Sequence, residues 1–118
     1  MRLRVFRRRI KPHKFKQQWL ELQRLCANRE TWQLAVLTAD KLLDEALKKR
    51  RFKGKSMGER IVSAQHQLTD NDGVWFAHNL AKKVKDKSSI KLRESDVKKS
   101  LVGVRQALRD LGALHGKN

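Results

Sequence analysis

The chain has little of what disulfide-bonded, zinc-binding or turn-rich proteins need. Its single cysteine, Cys26, excludes an internal disulfide and a zinc site built on cysteine pairs. Its only proline is Pro12, and the first of its six glycines is Gly54, a scarcity that favours long helices over a β structure with many turns. No apolar run approaches the ~18–20 residues that span a bilayer.

Acidic residues are also scarce. Lysine and arginine number 29 against 12 aspartates and glutamates, which gives a formal net charge of +17 on 118 residues. A compact body with this charge attracts polyanions. Nucleic acid is the first partner to consider, because neutralising phosphates releases their counterions.

The positive charge is concentrated in three runs. The first basic run comprises Arg2, Arg4, Arg7, Arg8, Arg9, Lys11, Lys14 and Lys16. The second basic run comprises Lys48, Lys49, Arg50, Arg51, Lys53 and Lys55. The third basic run comprises Lys82, Lys83, Lys85 and Lys87, continues to Lys91 and Arg93, and contains the single acid Asp86. A solvated face normally mixes charges of both signs, so the acid-free first and second runs predict nucleic-acid binding. The basic residues of these runs from Arg2 to Lys87 are the candidate nucleic-acid contacts.

Apolar residues at helical spacing predict an all-α fold, an antiparallel bundle of about five helices. A basic N-terminal arm over residues 1–12 precedes the bundle of residues 13–118. The predicted helices cover residues 13–27, 31–50, 56–68, 74–86 and 94–111. Ser56 and Glu59 match a capping box, and Gly112 fits the position after a helix end, with Leu114 giving the accompanying apolar contact.

Membrane-surface binding is an alternative for the basic N-terminal segment. Its apolar residues are sparse and Pro12 interrupts a continuous helix, so nucleic acid ranks above a membrane as the partner. No apolar segment follows Ile10, so we expect no signal peptide and a cytoplasmic location.

Three segments resemble a bacterial branch of the HEPN-like (higher eukaryotes and prokaryotes nucleotide-binding) helical domains. They are Trp19-Leu20-Glu21-Leu22, the run from Trp32 to Asp44 with the pattern W-x-x-A-V-x-x-A-D-K-L-L-D, and the segment Gly54-Lys55-Ser56-Met57-Gly58-Glu59-Arg60. The resemblance covers roughly residues 16–114. It implies an α-helical bundle, often dimeric, whose active members are ribonucleases with an arginine and a histidine that meet across the dimer interface. An imidazole can move protons near neutral pH, and a guanidinium can stabilise the developing phosphate charge.

The sequence departs from this family at the catalytic positions. Trp75-Phe76-Ala77-His78 matches the lead-in, but Ala81 and Lys82 stand where the family would have arginine and asparagine. Asp86 stands where the family would have its histidine. The resemblance therefore implies binding without cleavage, so we expect no enzyme activity. Homodimerisation remains possible by analogy, although the substituted positions line the family's interface.

Several single residues have a functional and a structural interpretation. For His78 we prefer a helix histidine packed beside Trp75 and hydrogen-bonded to a neighbour over a catalytic remnant. Core packing is also preferred for Cys26, Trp19, Trp32 and Trp75. For Phe6 and Phe52, each flanked by basic residues, base stacking and packing remain equally open.

Ligand-binding motifs are otherwise weak. Gly54-Lys55-Ser56 lacks the upstream glycine and the preceding strand of a phosphate-binding loop, so helix capping is the preferred role of Ser56. His13, His66 and His115 have no metal-ligand spacing, so we expect no metal and no cofactor.

The sequence thus predicts a non-catalytic RNA-binding protein, ribosome-associated or rRNA-binding, that holds the phosphate backbone. The alternatives are a DNA-binding protein and a protein-interaction module of the HEPN class with an antitoxin-like or regulatory role.

Overall fold

The computed structural model describes residues 10–115 and confirms an all-α bundle. Arg2, Arg4, Arg7, Arg8, Arg9 and Phe6 lie outside the described residues. The five helices of the described part are α1 (Pro12–Cys26), α2 (Trp32–Lys49), α3 (Met57–Ser63), α4 (Asn71–Asp86) and α5 (Glu94–Asp110). A short 3₁₀ turn, Arg29–Thr31, leads into α2.

Helix α2 is the centre of the bundle, since α1, α3, α4 and α5 all pack against it. Its apolar residues recur every three to four positions and bury one broad face. That face contributes Trp32, Ala35, Val36, Ala39, Leu42, Leu43, Ala46 and Leu47 to the core. Ile10 is also buried, so the core extends to the residues just before α1.

Helices α4 and α5 approach each other closely where Gly103 faces the backbone of Gly73. A Cβ added to Gly103 would meet the carbonyl oxygen and carbon of Gly73 below van der Waals contact. Only a residue without a side chain allows the two backbones to come this close.

Three predicted helix boundaries are wrong, one by a single residue and two by three to five residues. Pro12 is the first residue of α1 rather than a break before it, a position where its missing N–H costs nothing. The third helix ends at Ser63 rather than at residue 68, and a series of turns follows it. Helix α4 begins at Asn71 rather than at Val74, because the Asp70 carboxylate accepts a hydrogen bond from the Gly73 N–H at 3.0 Å and caps the helix.

The predicted glycine end of α5 is confirmed. Gly112 has φ +80°, and the Ala113 N–H donates to the Leu108 carbonyl at 2.7 Å while the Gly112 N–H donates to that of Arg109 at 3.0 Å. These two bonds define a Schellman motif. Leu114 is buried beside it, as expected.

Within residues 10–115, every helix is too short or too polar to cross a membrane.

Candidate nucleic-acid interface

The connection between α2 and α3, residues 50–56, carries most of the second basic run and is named the basic loop. It begins with a second Schellman motif, in which the Phe52 N–H donates to the Leu47 carbonyl at 3.1 Å and the Arg51 N–H to that of Lys48 at 2.9 Å. The left-handed position, where glycine is preferred, is occupied by Arg51 with φ +62°. Arginine at this position carries a conformational cost that glycine would not.

A capping box closes the other end of the basic loop. The Glu59 N–H donates to Ser56 Oγ at 3.2 Å, as the sequence predicts. The Glu59 carboxylate reaches back and accepts from the Lys55 N–H at 3.0 Å, one residue before the serine. The loop therefore enters α3 with its backbone fixed.

The middle of the basic loop is held by α3. Arg60 Nη1 donates to the Gly54 carbonyl at 2.9 Å, and Ser63 Oγ donates to the Lys53 carbonyl at 2.6 Å. A Cβ on Gly54 would lie 2.7 Å from the Arg60 backbone nitrogen, so this packing needs glycine. Phe52 is 6% exposed and anchors the loop in the core, which decides between its two interpretations in favour of packing.

An ion pair beneath the loop orients Arg60. Arg60 Nε donates to Asp44 Oδ1 at 2.7 Å and Arg60 Nη2 donates to Oδ2 at 2.9 Å, so the contact is bidentate. Burial alone would raise the pKa of Asp44, but the hydrogen bonds and charges of Arg60 and Lys48 outweigh it and lower that pKa. The hydrogen bond to Asp44 in turn raises the pKa of Arg60.

The predicted contacts of the second basic run differ in what they face. Lys49, Arg51, Lys53 and Lys55 are exposed. Lys48 is exposed too, but its Nζ lies 3.6 Å from Asp44 Oδ2. Arg50 is half-buried, and its Nη1 lies 3.8 Å from where a Cβ on Gly112 would be. Arg50 therefore packs against the end of α5, where a cation is favourable.

The described part of the first basic run lies at the same end of the bundle. Lys11, Lys14 and Lys16 are exposed at the start of α1. The start of α1 forms a cavity of about 290 Å³ with Leu114 and His115, just after α5. Because Arg50 meets Gly112, the basic loop reaches this end as well. The fold thus brings Lys11, Lys14 and Lys16 and the second basic run to one end of the bundle.

The third basic run lies on α4 and just after it. Lys82, Lys83, Lys85 and Lys87 are all exposed. Lys85 lines a groove of about 320 Å³, named the His78 groove, together with Lys41, Asp44, Arg60 and His78. Arg60 thus contacts the basic loop and also lines this groove, where Asp40 and Asp44 offset part of the positive charge. Sequence reasoning missed Lys41 and Arg60, because neither belongs to a charge run.

His78 is accounted for by the fold in the way expected from the sequence. Its Nδ1 lies 2.9 Å from Asp40 Oδ1, and its ring meets the edge of Trp75 at a centroid distance of 6.0 Å. Both partners of the pair are buried, with 8% of His78 and 3% of Asp40 exposed.

The other singled-out residues are also structural. Trp19 and Trp32 are buried and Trp75 is half-buried. Cys26 is half-buried, and burial raises the pKa of its thiol, which disfavours the nucleophilic thiolate. Across residues 10–115, no three His, Cys, Asp or Glu side chains are grouped to hold a metal ion.

Comparisons of this chain with protein-family models, with curated proteins and with solved structures find no match. Function is therefore inferred from its own charge and geometry.

Proposed function

We propose that this protein is a non-catalytic RNA-binding protein that holds the phosphate backbone with the basic loop and the neighbouring lysines of α1 and α4. The observation that carries the proposal is the construction of the basic loop. Its backbone is hydrogen-bonded from both ends and from α3, while its cations Arg51, Lys53 and Lys55, and Lys49 just before it, remain exposed.

A fixed backbone favours phosphate binding because less freedom is lost when the ligand is held. Four exposed cations within seven residues would meet several phosphates of one RNA segment, and each phosphate neutralised releases counterions. The arginines of the N-terminal arm would extend this contact.

Absence of cleavage is part of the proposal. Ala81 is buried at the position where the HEPN-like family would have arginine, and Lys82 and Asp86 are exposed at the positions of asparagine and histidine. His78 is largely buried and bonded to Asp40, which leaves it poorly placed to move protons on a bound RNA. A HEPN-like origin, a ribosome-associated role in the bacterial cytoplasm and a homodimer remain hypotheses drawn from the sequence.

The salt dependence of RNA affinity tests the proposal. We expect log K for a structured RNA to fall steeply and linearly with log salt concentration. Replacing Lys49, Lys53 and Lys55 by Gln should flatten the slope by about 2–3 units, close to one unit for each phosphate that the variant no longer neutralises.

A matched variant separates site charge from net charge. Replacing Arg24, Lys99 and the half-buried Arg105 by Gln removes the same charge from positions outside the basic runs and should leave the slope nearly unchanged. A flat plot for the native protein, or equal effects of the two triple variants, would contradict the proposal.

The alternatives make different predictions. A DNA-binding protein would be released from RNA by competing duplex DNA. A protein-interaction module would form a complex that survives high salt and nuclease. RNA cleavage that is lost on His78→Ala would show a surviving ribonuclease.

A further inference from the structure

A second cationic cleft lies away from the basic loop, where the start of α2 faces the connection between α4 and α5. It has a volume of about 670 Å³ and is named the Arg29 cleft. Arg29, Trp32 and Gln33 line one side, and residues 90–94 line the other. Sequence reasoning missed this site, because Arg29 is isolated from Lys91 and Arg93 in the chain.

Three exposed cations, Arg29, Lys91 and Arg93, surround the cleft. The acid Glu94 also lines it, but its Oε2 lies 3.9 Å from Lys98 Nζ and is partly compensated. Arg93 contacts Asp96 at 3.3 Å while 82% of its side chain stays exposed. Such an exposed pair contributes little, so Arg93 can exchange Asp96 for a phosphate.

The cleft also offers a surface for stacking. The Arg29 guanidinium lies 5.4 Å from the centroid of the Trp32 ring. Trp32 is buried, and its Nε1 donates to the Cys26 carbonyl at 2.9 Å, which fixes the ring. An exposed guanidinium held over a fixed aromatic ring keeps surface open on which a nucleobase can stack.

The opposite wall is fixed by one side chain. Gln33 Nε2 donates to the carbonyls of Ser88 at 2.9 Å and Ile90 at 3.1 Å. These bonds hold the connection after α4 against α2 and keep Ile90, Lys91 and Arg93 at the cleft. The site is therefore formed before any ligand binds.

The geometry points to a binding site for one unpaired nucleotide of an RNA, an inference that rests on the proposed function and adds a preference to it. The base stacks on Arg29 beside the half-buried Ile90 and Leu92, and its phosphate contacts Lys91 and Arg93. A base within a regular duplex is already stacked and paired, so the cleft selects RNA with a bulge, a loop or a single strand.

Two hairpins that differ by a single bulged nucleotide test this inference. We expect the full chain to bind the bulged hairpin about tenfold more tightly than the fully paired one, as one base–side chain stack supplies. Arg29→Ala should abolish the preference while retaining affinity for the paired hairpin. Arg29→Lys keeps the charge without the planar group and should abolish the preference too.

Arg24→Ala is the matched control, because Arg24 is an exposed arginine near the end of α1 and outside the cleft, and it should keep the preference. Equal binding of the native protein to both hairpins overturns the nucleotide site and leaves RNA binding standing. If Arg29→Ala weakens binding to both hairpins equally, the nucleotide site is also overturned, because Arg29 would then contact only a phosphate. Absence of salt-sensitive binding to either hairpin overturns the proposed function as well.

Discussion

Arg51 and Gly112 occupy the same position in two copies of one motif. Both follow a helix end with positive φ, and both lie between hydrogen bonds of the same pattern. Glycine adopts this conformation without steric cost, whereas arginine does not. Arginine at this position places an exposed cation on a backbone that is fixed on both sides.

Arg51→Gly relieves the positive φ, a conformational gain of about 1 kcal/mol, and should weaken RNA binding because it removes a loop cation. Arg51→Asn should also weaken binding, since Asn tolerates this conformation but carries no charge. Urea unfolding and RNA titration measure the two effects. Unchanged RNA affinity in both variants would show that Arg51 does not contact the RNA.

Asp44 gives the fold a defined acid sensitivity. Its pKa in the folded protein is lowered below the ordinary value of 3.8. The stabilisation that the Asp44 charge gives the fold is therefore complete above pH 3.8 and is lost as the pH falls through the folded pKa. Asp44→Asn should cost about 1–3 kcal/mol at neutral pH, because it leaves Arg60 without its charged partner. It should also remove part of the fall in stability below pH ~4. Urea unfolding across this pH range is the measurement, and parallel pH profiles for both proteins would contradict the assignment.

At the scale of the helices, the α4–α5 crossing depends on Gly103, which faces the backbone of Gly73. Gly103→Ala should destabilise the protein by about 1–3 kcal/mol, because the new methyl group would force the two backbones apart. Val102→Ala is a suitable control, since Val102 is exposed on the same helix. Thermal unfolding should separate the two variants, and similar midpoints would show that the crossing can relax.

The spacing of apolar residues in the sequence predicts which segments are helical better than it predicts where each helix begins and ends. The apolar stripes of α2 and α5 predict those two helices, because their buried side chains recur every three to four residues. Leu68 continues the stripe of α3 but is buried from a turn, so the same burial arises without a helix. The polar residues around Asp70 are typical of a loop, so the sequence does not show that Asp70 caps α4.

At the scale of the whole molecule, the charge forms a distributed surface. Lys11, Lys14 and Lys16 lie at the same end as the second basic run, Lys41 and Lys85 lie along the side, and the Arg29 cleft lies at the C-terminal end of α4. Charge runs in the sequence identify the exposed lysines. They cannot identify Arg60 or Arg29, which become functional candidates only through tertiary contacts, or the inward orientation of Arg50.

A surface of this extent suits a large RNA, so we expect the native protein to co-sediment with ribosomes from its own cells. Nuclease treatment or high salt should release it, because phosphate contacts would dominate the proposed binding. Quantitative blotting of gradient fractions measures the distribution. Retention after both treatments would indicate a protein partner instead.

The hydrogen bonds that hold the basic loop also affect its susceptibility to proteases. Lys49, Arg50, Arg51, Lys53 and Lys55 are all trypsin targets, yet cleavage requires a segment to unfold locally and enter the protease. We expect trypsin to cut the native chain slowly between residues 49 and 55. Gly54→Ala, which forces the loop off Arg60, should accelerate that cut, as mass spectrometry of a digestion time course would show. Equal cleavage rates would contradict this protection. If Gly54→Ala does accelerate the cut, the fold itself protects the segment richest in trypsin sites, before any partner binds.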